Sequence, residues 1–321
     1  MKNIQGIHHI TVFASNPQAN VNFYHSILGQ RLVKKTVNFD DPRTYHLYYG
    51  DKVGTPGTIM TFFPWVHVTK GVPGNGEVVT TAYTIRPNSV DYWLARLADR
   101  NVEVGELETR FGAQSIPFED YEGTRIELIT GEEPATIEHW EEGPIPREHA
   151  LRGFHSATLW VDEAELTARI LRDQLGYALA GKEDARWRYR GASNDIGLYI
   201  DLLERPGRAR GRPGAGSVHH IAFRTVDDDE QLEYRTQLQQ AGVGVTPIQD
   251  RQYFHSIYFR EPNGILFEVA TDAPGFDYDE PVGELGYNLK LPHWYEEHRA
   301  EIAAALPQFT HPDLRELLMY K

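Results

Sequence analysis

The sequence predicts an α+β protein made of four βαβββ modules arranged as two tandem domains of like fold. Three observations carry this. A β-branched run opened by two adjacent histidines occurs twice, as Gly6-Ile7-His8-His9-Ile10-Thr11-Val12-Phe13 and as Ser217-Val218-His219-His220-Ile221-Ala222-Phe223. The order strand, helix, then strands ending in an apolar run recurs four times along the chain. The 321 residues, 40% hydrophobic, exceed one ordinary domain and suffice for a sizeable core.

The first unit opens at Ile7. Asn16-Pro17 has the chemistry of a helix cap followed by a first-turn proline. Val21, Tyr24, Ile27 and Leu28 give a helical apolar stripe, which Gly29 stops. Strands follow at Tyr45-His46-Leu47-Tyr48-Tyr49 and Thr58-Ile59-Met60-Thr61-Phe62-Phe63. The second unit opens at Thr80, carries a helix with Val90, Trp93, Leu94 and Leu97, and closes with Arg125-Ile126-Glu127-Leu128-Ile129. These two units form an N-terminal pair over 1–131, and the polar, proline-bearing stretch 132–152 reads as a linker. The third unit opens with Phe154-His155-Ser156-Ala157-Thr158, has Leu166, Ile170, Leu171 and Leu175 on one helical side, and ends at Leu198-Tyr199-Ile200-Asp201-Leu202-Leu203. The fourth runs from Val218 to Ile265-Leu266-Phe267-Glu268-Val269-Ala270, so that a C-terminal pair spans 153–272. The remaining 273–321 is an extension with a helix near Trp294 to Leu306.

A net charge of −14 argues against nucleic acid and anionic membrane surfaces as partners. With no cysteine, disulfides, thiolate metal sites and cysteine nucleophiles are excluded. No apolar run approaches the roughly 20 residues of a membrane span, and Met1 to Gln5 leads into a strand without a signal-peptide core. A cytoplasmic protein is the expectation.

The repeats select candidate ligands. Overlaying the four opening strands puts His9, Ala82, Ser156 and His220 at one position. Overlaying the closing strands puts Thr61, Glu127, Asp201 and Glu268 at another. Units one and four thus contribute His9, His220 and Glu268. Units two and three contribute no histidine there, which makes theirs a degenerate partner cup. A strand glutamate needs a reason to be buried, because an unpaired buried carboxylate is costly. Two imidazoles and one carboxylate on a divalent metal leave open positions, the arrangement of non-haem Fe(II) oxygenases. His155 aligns with His8 rather than His9, so strand alternation turns it to the opposite face. By the same rule His8 and His219 point away from the metal or sit at its edge, as partners of the ligands or as plain strand polar groups. Thr11 shares the face of His9, where it lines the cup or packs. Phe62, Phe223, Phe254 and Phe267 are candidates for the cup's apolar wall.

A βαβββ unit repeated four times resembles the vicinal oxygen chelate superfamily of glyoxalases, bleomycin-resistance proteins and extradiol dioxygenases. Within it, the chain resembles the hydroquinone-type ring-cleaving dioxygenases, a branch that includes quinone-detoxifying bacterial members. The stretches that carry this are Gly6 to Thr11, Leu28-Gly29-Gln30-Arg31-Leu32-Val33-Lys34-Lys35-Thr36-Val37, Tyr45 to Tyr49, Gly54-Thr55-Pro56-Gly57-Thr58-Ile59-Met60-Thr61, Arg152 to Ser156, Asp250-Arg251-Gln252-Tyr253-Phe254, Tyr258 and Phe267-Glu268. The resemblance implies tandem glyoxalase/dioxygenase-like domains, Fe(II), with Mn(II) as its substitute, and an extradiol-type reaction of O2 with a hydroquinone or catechol in aromatic degradation. It also implies His9, His220 and Glu268 as metal ligands, with Arg251 and Tyr258 near the substrate. Chemistry agrees: Arg251 suits an anionic ring oxygen, and Tyr258 suits proton or hydrogen-bond donation. His8, His219 and Thr11 complete the candidate site. Paired-unit folds of this kind often associate, so a homo-oligomer is among the expectations. Two rival readings are a glyoxalase-like metal-dependent isomerase or lyase, weakened by Thr61 where a second carboxylate belongs, and a metal-free small-molecule-binding protein, which needs no histidines and glutamate in register.

Overall fold

The structure is a computed structural model that describes residues 3–131, 137–192 and 196–312. The first unit contains β1 (Ile7–Ala14), α1 (Pro17–Val21), β2 (Arg31–Asn38), β3 (Asp41–Gly50) and β4 (Ile59–Pro64). Asn16 caps α1, its side-chain oxygen accepting from the Ala19 N–H at 3.0 Å. The helix continues through Ile27 as a wider π-type turn, and Gly29 ends it in the left-handed region at φ 70°. A Cβ there would run into Ile145.

The second unit contains β5 (Glu77–Ile85), α2 (Val90–Asp99), β6 (Glu108–Arg110), β7 (Ala113–Glu119) and β8 (Arg125–Thr130). The third has β9 (Phe154–Val161), α3 (Ala164–Arg169), β10 (Ala178–Glu183), β11 (Arg186–Arg190) and β12 (Tyr199–Glu204). The fourth has β13 (Val218–Thr225), α4 (Asp228–Gln240), β14 (Gln249–Asp250), β15 (His255–Arg260) and β16 (Leu266–Thr271). A short helix, α5 (Arg299–Ala305), lies in the C-terminal extension, within the span the sequence indicated. Of the 132–152 linker, residues 132–136 lie outside the described residues, as does the end of the extension from 313. The described remainder of the linker buries Trp140 and Ile145.

The strands form two curled eight-stranded sheets. One has the order β14-β15-β16-β13-β1-β4-β3-β2, so it joins units one and four. The other, β10-β11-β12-β9-β5-β8-β7-β6, joins units two and three. Each sheet has an antiparallel seam between its two opening strands, β1 with β13 and β5 with β9. The loops that carry the chain between sheets lie together, with backbone bridges Lys70–Ala215, Val72–Arg212 and Asn75–Arg210.

Strand alternation divides the faces. In β1, Ile10 and Val12 enter the hydrophobic core with Val21, Tyr24 and Leu28 of the first helix, all buried. His9 and Thr11 face the cup instead. The same rule revises the expected wall. Thr61 faces the cup, so Phe63 does too, whereas Phe62 packs in the core. Phe223 and Phe267 also belong to the core, being out of phase with His220 and Glu268. Phe254 alone of the four expected phenylalanines lines the cup.

Candidate metal centre

The site is built from two rows of residues running across the seam strands. In one row Tyr258 pairs with Glu268, Glu268 with Ala222, and Ala222 with His9. In the other, Tyr48 pairs with Thr61, Thr61 with Thr11, and Thr11 with His220. The rows are related by the pseudo-twofold of units one and four, so His9 answers His220 and Glu268 answers Thr61. The row geometry brings three donor atoms to one point. His9 Nε2 lies 3.2 Å from His220 Nε2 and 3.3 Å from Glu268 Oε2, and His220 Nε2 lies 2.9 Å from Glu268 Oε2. All three residues are buried, and they form the group of metal-binding residue types found among the described residues. Burial by itself would push the Glu268 carboxyl up. His9 and His220 beside it hold it well below the usual carboxylate range, so it is ionised.

His8 and His219 sit at the edge of this group because each is the extra residue of a β-bulge. The β1–β13 register slips between Ile7 and His9 and again opposite Val218 to His220. A bulge cancels the alternation that would put neighbours on opposite faces. His8 Nδ1 therefore lies 2.9 Å from His9 Nδ1, and His219 Nδ1 2.8 Å from His220 Nδ1. Thr11 Oγ1 is 2.9 Å from His220 Nε2 and 2.8 Å from Thr61 Oγ1. Thr61 Oγ1 is in turn 2.9 Å from His46 Nε2, and the Tyr48 hydroxyl is 2.8 Å from His46 Nδ1.

Above the group opens a cavity of about 490 Å³. Phe63, Trp65, Phe254 and Tyr48 wall it, with His46 and His219 between them. Arg251 and Tyr258 line one side: Arg251 Nε donates to the Tyr258 hydroxyl at 3.2 Å, and Nη1 pairs with Asp40 at the rim. Burial and the nearby Glu268 push the Tyr258 hydroxyl above its ordinary pKa, so it keeps its proton at neutral pH. Sequence reasoning did not assign His46, Tyr48, Phe63 or Trp65. A signal existed for the first two, since His46 and Tyr48 share a parity in β3 and therefore a face.

His155 lies in the other sheet, again as a bulge residue, and is not part of the group. The register there corrects the overlay of unit two. Ala82 pairs with Glu127 and Ser156, as Thr11 pairs with Thr61 and His220, so the counterpart of His9 is Thr80 rather than Ala82. The two-residue error preserves the face, which is why the pattern of types survived it. In this second cup arginines take up the carboxylates. Arg188 grips Asp201 through two hydrogen bonds of 2.8 Å, Arg186 adds a third at 3.1 Å, and Arg110 pairs with Glu127.

The paired curled sheets and the histidine–carboxylate group in one of them define a protein of the paired-module, small-molecule cup class. The chain belongs to the Glyoxalase/Bleomycin resistance protein/Dioxygenase superfamily, whose sequence profile matches residues 6–128 and 153–269. A protein of Bacillus subtilis provisionally named ring-cleaving dioxygenase MhqO is 46% identical over 316 residues, covering 98% of this chain and 99% of that one. The chlorohydroquinone/hydroquinone 1,2-dioxygenase of Sphingobium indicum is 36% identical over 298 residues, covering 90% and 91%. The crystal structure of a provisionally named dioxygenase from Bacillus subtilis superposes with a TM-score of 0.92 at 45% identity, covering 98% of this chain and all of that one. Maize glyoxalase I, at 15% identity and a TM-score of 0.64, shares the fold.

Proposed function

We propose that the protein is a non-haem Fe(II) ring-cleaving dioxygenase acting on a hydroquinone-type aromatic with O2. The observation that supports it most is the convergence of two imidazole nitrogens and one carboxylate oxygen at the foot of an aromatic-walled cavity. The residues fit a divalent ion. Neighbouring ligands at about 2.1 Å from an octahedral metal are ~3.0 Å apart, close to the donor separations here. Glu268 Oε2 is buried with no hydrogen-bond partner, which a cation would satisfy. His9, His220 and Glu268 would hold the metal, and Fe(II) with Mn(II) as its substitute suits such a set.

When bound, the metal supplies the one-electron chemistry that lets O2 react with an electron-rich ring. The chain supplies the rest. A bond between two ring nitrogens needs one N–H and one lone pair. With the protons on Nδ1 of His9 and His220, donated to His8 and His219, both Nε2 lone pairs would be free to bind the ion together with Glu268 Oε2. Phe63, Trp65 and Phe254 exclude water from the ring. Tyr258, kept protonated, donates a hydrogen bond or a proton to a ring oxygen as charge develops there. Arg251 reaches from Tyr258 to the rim, where it meets the hydroxyl remote from the metal. A hydroquinone has no adjacent hydroxyl pair, so the extradiol-type cut falls between the hydroxyl-bearing carbon and its neighbour.

Anaerobic loading followed by metal analysis and oxygen uptake with substituted hydroquinones and catechols tests this. Iron retained in stoichiometric amount, with uptake on a hydroquinone, is the expected result. His9→Ala, His220→Ala and Glu268→Ala should each lose iron or activity and keep the fold, while His155→Ala keeps both. Zinc or nickel without oxygen uptake would move the protein to the isomerase class.

A further inference from the structure

The pseudo-twofold that turns His9 onto His220 and Glu268 onto Thr61 also turns Tyr258 onto Tyr48, because Tyr258 pairs with Glu268 as Tyr48 pairs with Thr61. Two residues earlier on the same strands it turns Ser256 onto His46. In unit four the Ser256 hydroxyl bonds Glu268, which stands in the metal-binding group. In unit one the equivalent pair is His46 and Thr61. Thr61 brings a neutral hydroxyl where unit four brings a carboxylate, and His46 brings an imidazole where unit four brings a serine. The dioxygenase reading leaves both without a task.

Together they form a line of hydrogen bonds that starts beside the group and leads away from it. Thr11 Oγ1 stands 2.9 Å from His220 Nε2 and 2.8 Å from Thr61 Oγ1. Thr61 Oγ1 is 2.9 Å from His46 Nε2, and the Tyr48 hydroxyl is 2.8 Å from His46 Nδ1. Both threonines are fully buried, so bulk water does not reach the middle of the line. His46 is half-buried and lines the cavity. Its ring is held between those of Tyr48 and Phe63, with centroids 4.0 and 4.4 Å away.

A cation held by His9, His220 and Glu268 would set the direction of every bond in this line. The Nε2 lone pair of His220 is then occupied, so the Thr11 hydroxyl turns to Thr61. Thr61 in turn donates to His46 Nε2, and the one proton of the neutral imidazole sits on Nδ1, donated to the Tyr48 oxygen. Each hydroxyl of the pair donates away from the group, which leaves Thr11 with a lone pair at the near end. Burial, with His9, His220 and Arg251 across the cup, keeps His46 neutral before a ring enters, and Glu268 offsets this only in part.

We infer that His46 receives the proton that a hydroquinone loses on binding, passed from the ring hydroxyl through Thr11 and Thr61. The inference rests on the dioxygenase reading of this cup. A cation beside a phenolic oxygen favours its anion, and the other groups near it are already engaged. Glu268 is a ligand, while Tyr258 and Arg251 carry protons of their own. In the transfer the ring O–H bond breaks and a Thr11 O–H bond forms. The former Thr11 proton moves to Thr61, and the former Thr61 proton to His46 Nε2, with nothing oxidised or reduced. A phenolate and an imidazolium result, so the new anion supplies the partner charge that burial otherwise denies His46.

Anaerobic calorimetric titration of the iron-loaded protein with hydroquinone at pH 7, in two buffers of different ionisation enthalpy, counts the protons released. A phenolic hydroxyl has an ordinary pKa of about 10, so hydroquinone arrives neutral. The parent should pass almost no proton to the buffer, because His46 keeps it. His46→Gln should release about one proton per ring bound and bind hydroquinone about tenfold or more weakly, the scale of one lost charge-assisted interaction. Thr61→Val, which keeps the shape of the side chain and interrupts the line with His46 in place, should release about one proton as well. Release of about one proton by the parent, or parent-like release by either variant, would overturn the inference and leave the dioxygenase reading standing. Failure of hydroquinone to bind the iron-loaded parent would overturn both.

Discussion

Replacing Tyr258 by Phe isolates a single hydroxyl. That hydroxyl accepts from Arg251 Nε at 3.2 Å, and the ring stands edge-on to the His220 ring with centroids 5.8 Å apart. The Phe ring keeps the cavity wall, and Arg251 keeps Asp40, so substrate binding changes little. Stability should fall by about 1 kcal/mol, the net value of one such bond. If the hydroxyl assists proton transfer to a ring oxygen, kcat drops by about 10²-fold, or ~2.7 kcal/mol of barrier, with KM nearly unchanged. Steady-state oxygen uptake on iron-loaded protein gives kcat and KM, and single-turnover mixing separates chemistry from product release. Because burial raises the Tyr258 pKa, the parent enzyme should show no alkaline loss of rate from this group below about pH 10. A kcat within threefold of the parent would reduce Tyr258 to a packing residue. An alkaline fall near pH 8 that disappears in Tyr258→Phe would contradict the protonated donor.

Three further outcomes follow from the geometry. Arg251→Ala should narrow the ratio of kcat/KM for a substituted hydroquinone over the matching catechol, because a catechol has no remote hydroxyl to hold. An unchanged ratio excludes Arg251 from that contact. Asp201→Asn strips two guanidiniums of a buried partner and should destabilise the protein by about 3–5 kcal/mol in urea unfolding without loss of iron; a cost under about 1 kcal/mol would show that the network is not held as described. His25 is buried and His155 half-buried, and both are neutral, lowered to about 3 chiefly by desolvation. Between about pH 3 and the usual 6.5 the unfolded chain binds protons that the folded one does not. Stability therefore rises with pH through this window and is lost as pH falls, by up to about 1.4 kcal/mol per unit for each histidine. His155→Gln should flatten that slope by its own share, read from unfolding curves at pH 5 and 7, and an unaltered slope would exclude a neutral His155 of lowered pKa.

The sequence by itself determined the module order, the capped first helix and the grouping of His9, His220 and Glu268. These are legible because they rest on local chemistry and on a strand period of two that repeats in each unit. Tyr258 was reachable for the same reason, lying ten residues before Glu268 on the neighbouring strand of a hairpin. The tertiary structure decided what depends on pairing across distant strands. The bulges at His8 and His219 are properties of the β1–β13 register, formed by residues some two hundred positions apart, and no local pattern marks them. The β5–β9 seam set Thr80, not Ala82, opposite Thr158, and the pairing of β4 with β1 turned Phe63 rather than Phe62 into the cavity. The arginines of the second cup come from β6 and β11, whose sequences read as ordinary charged strands. Only the curling of the sheet brings their guanidiniums to Glu127 and Asp201, where a buried carboxylate must find a cation, and there it finds arginine instead of metal.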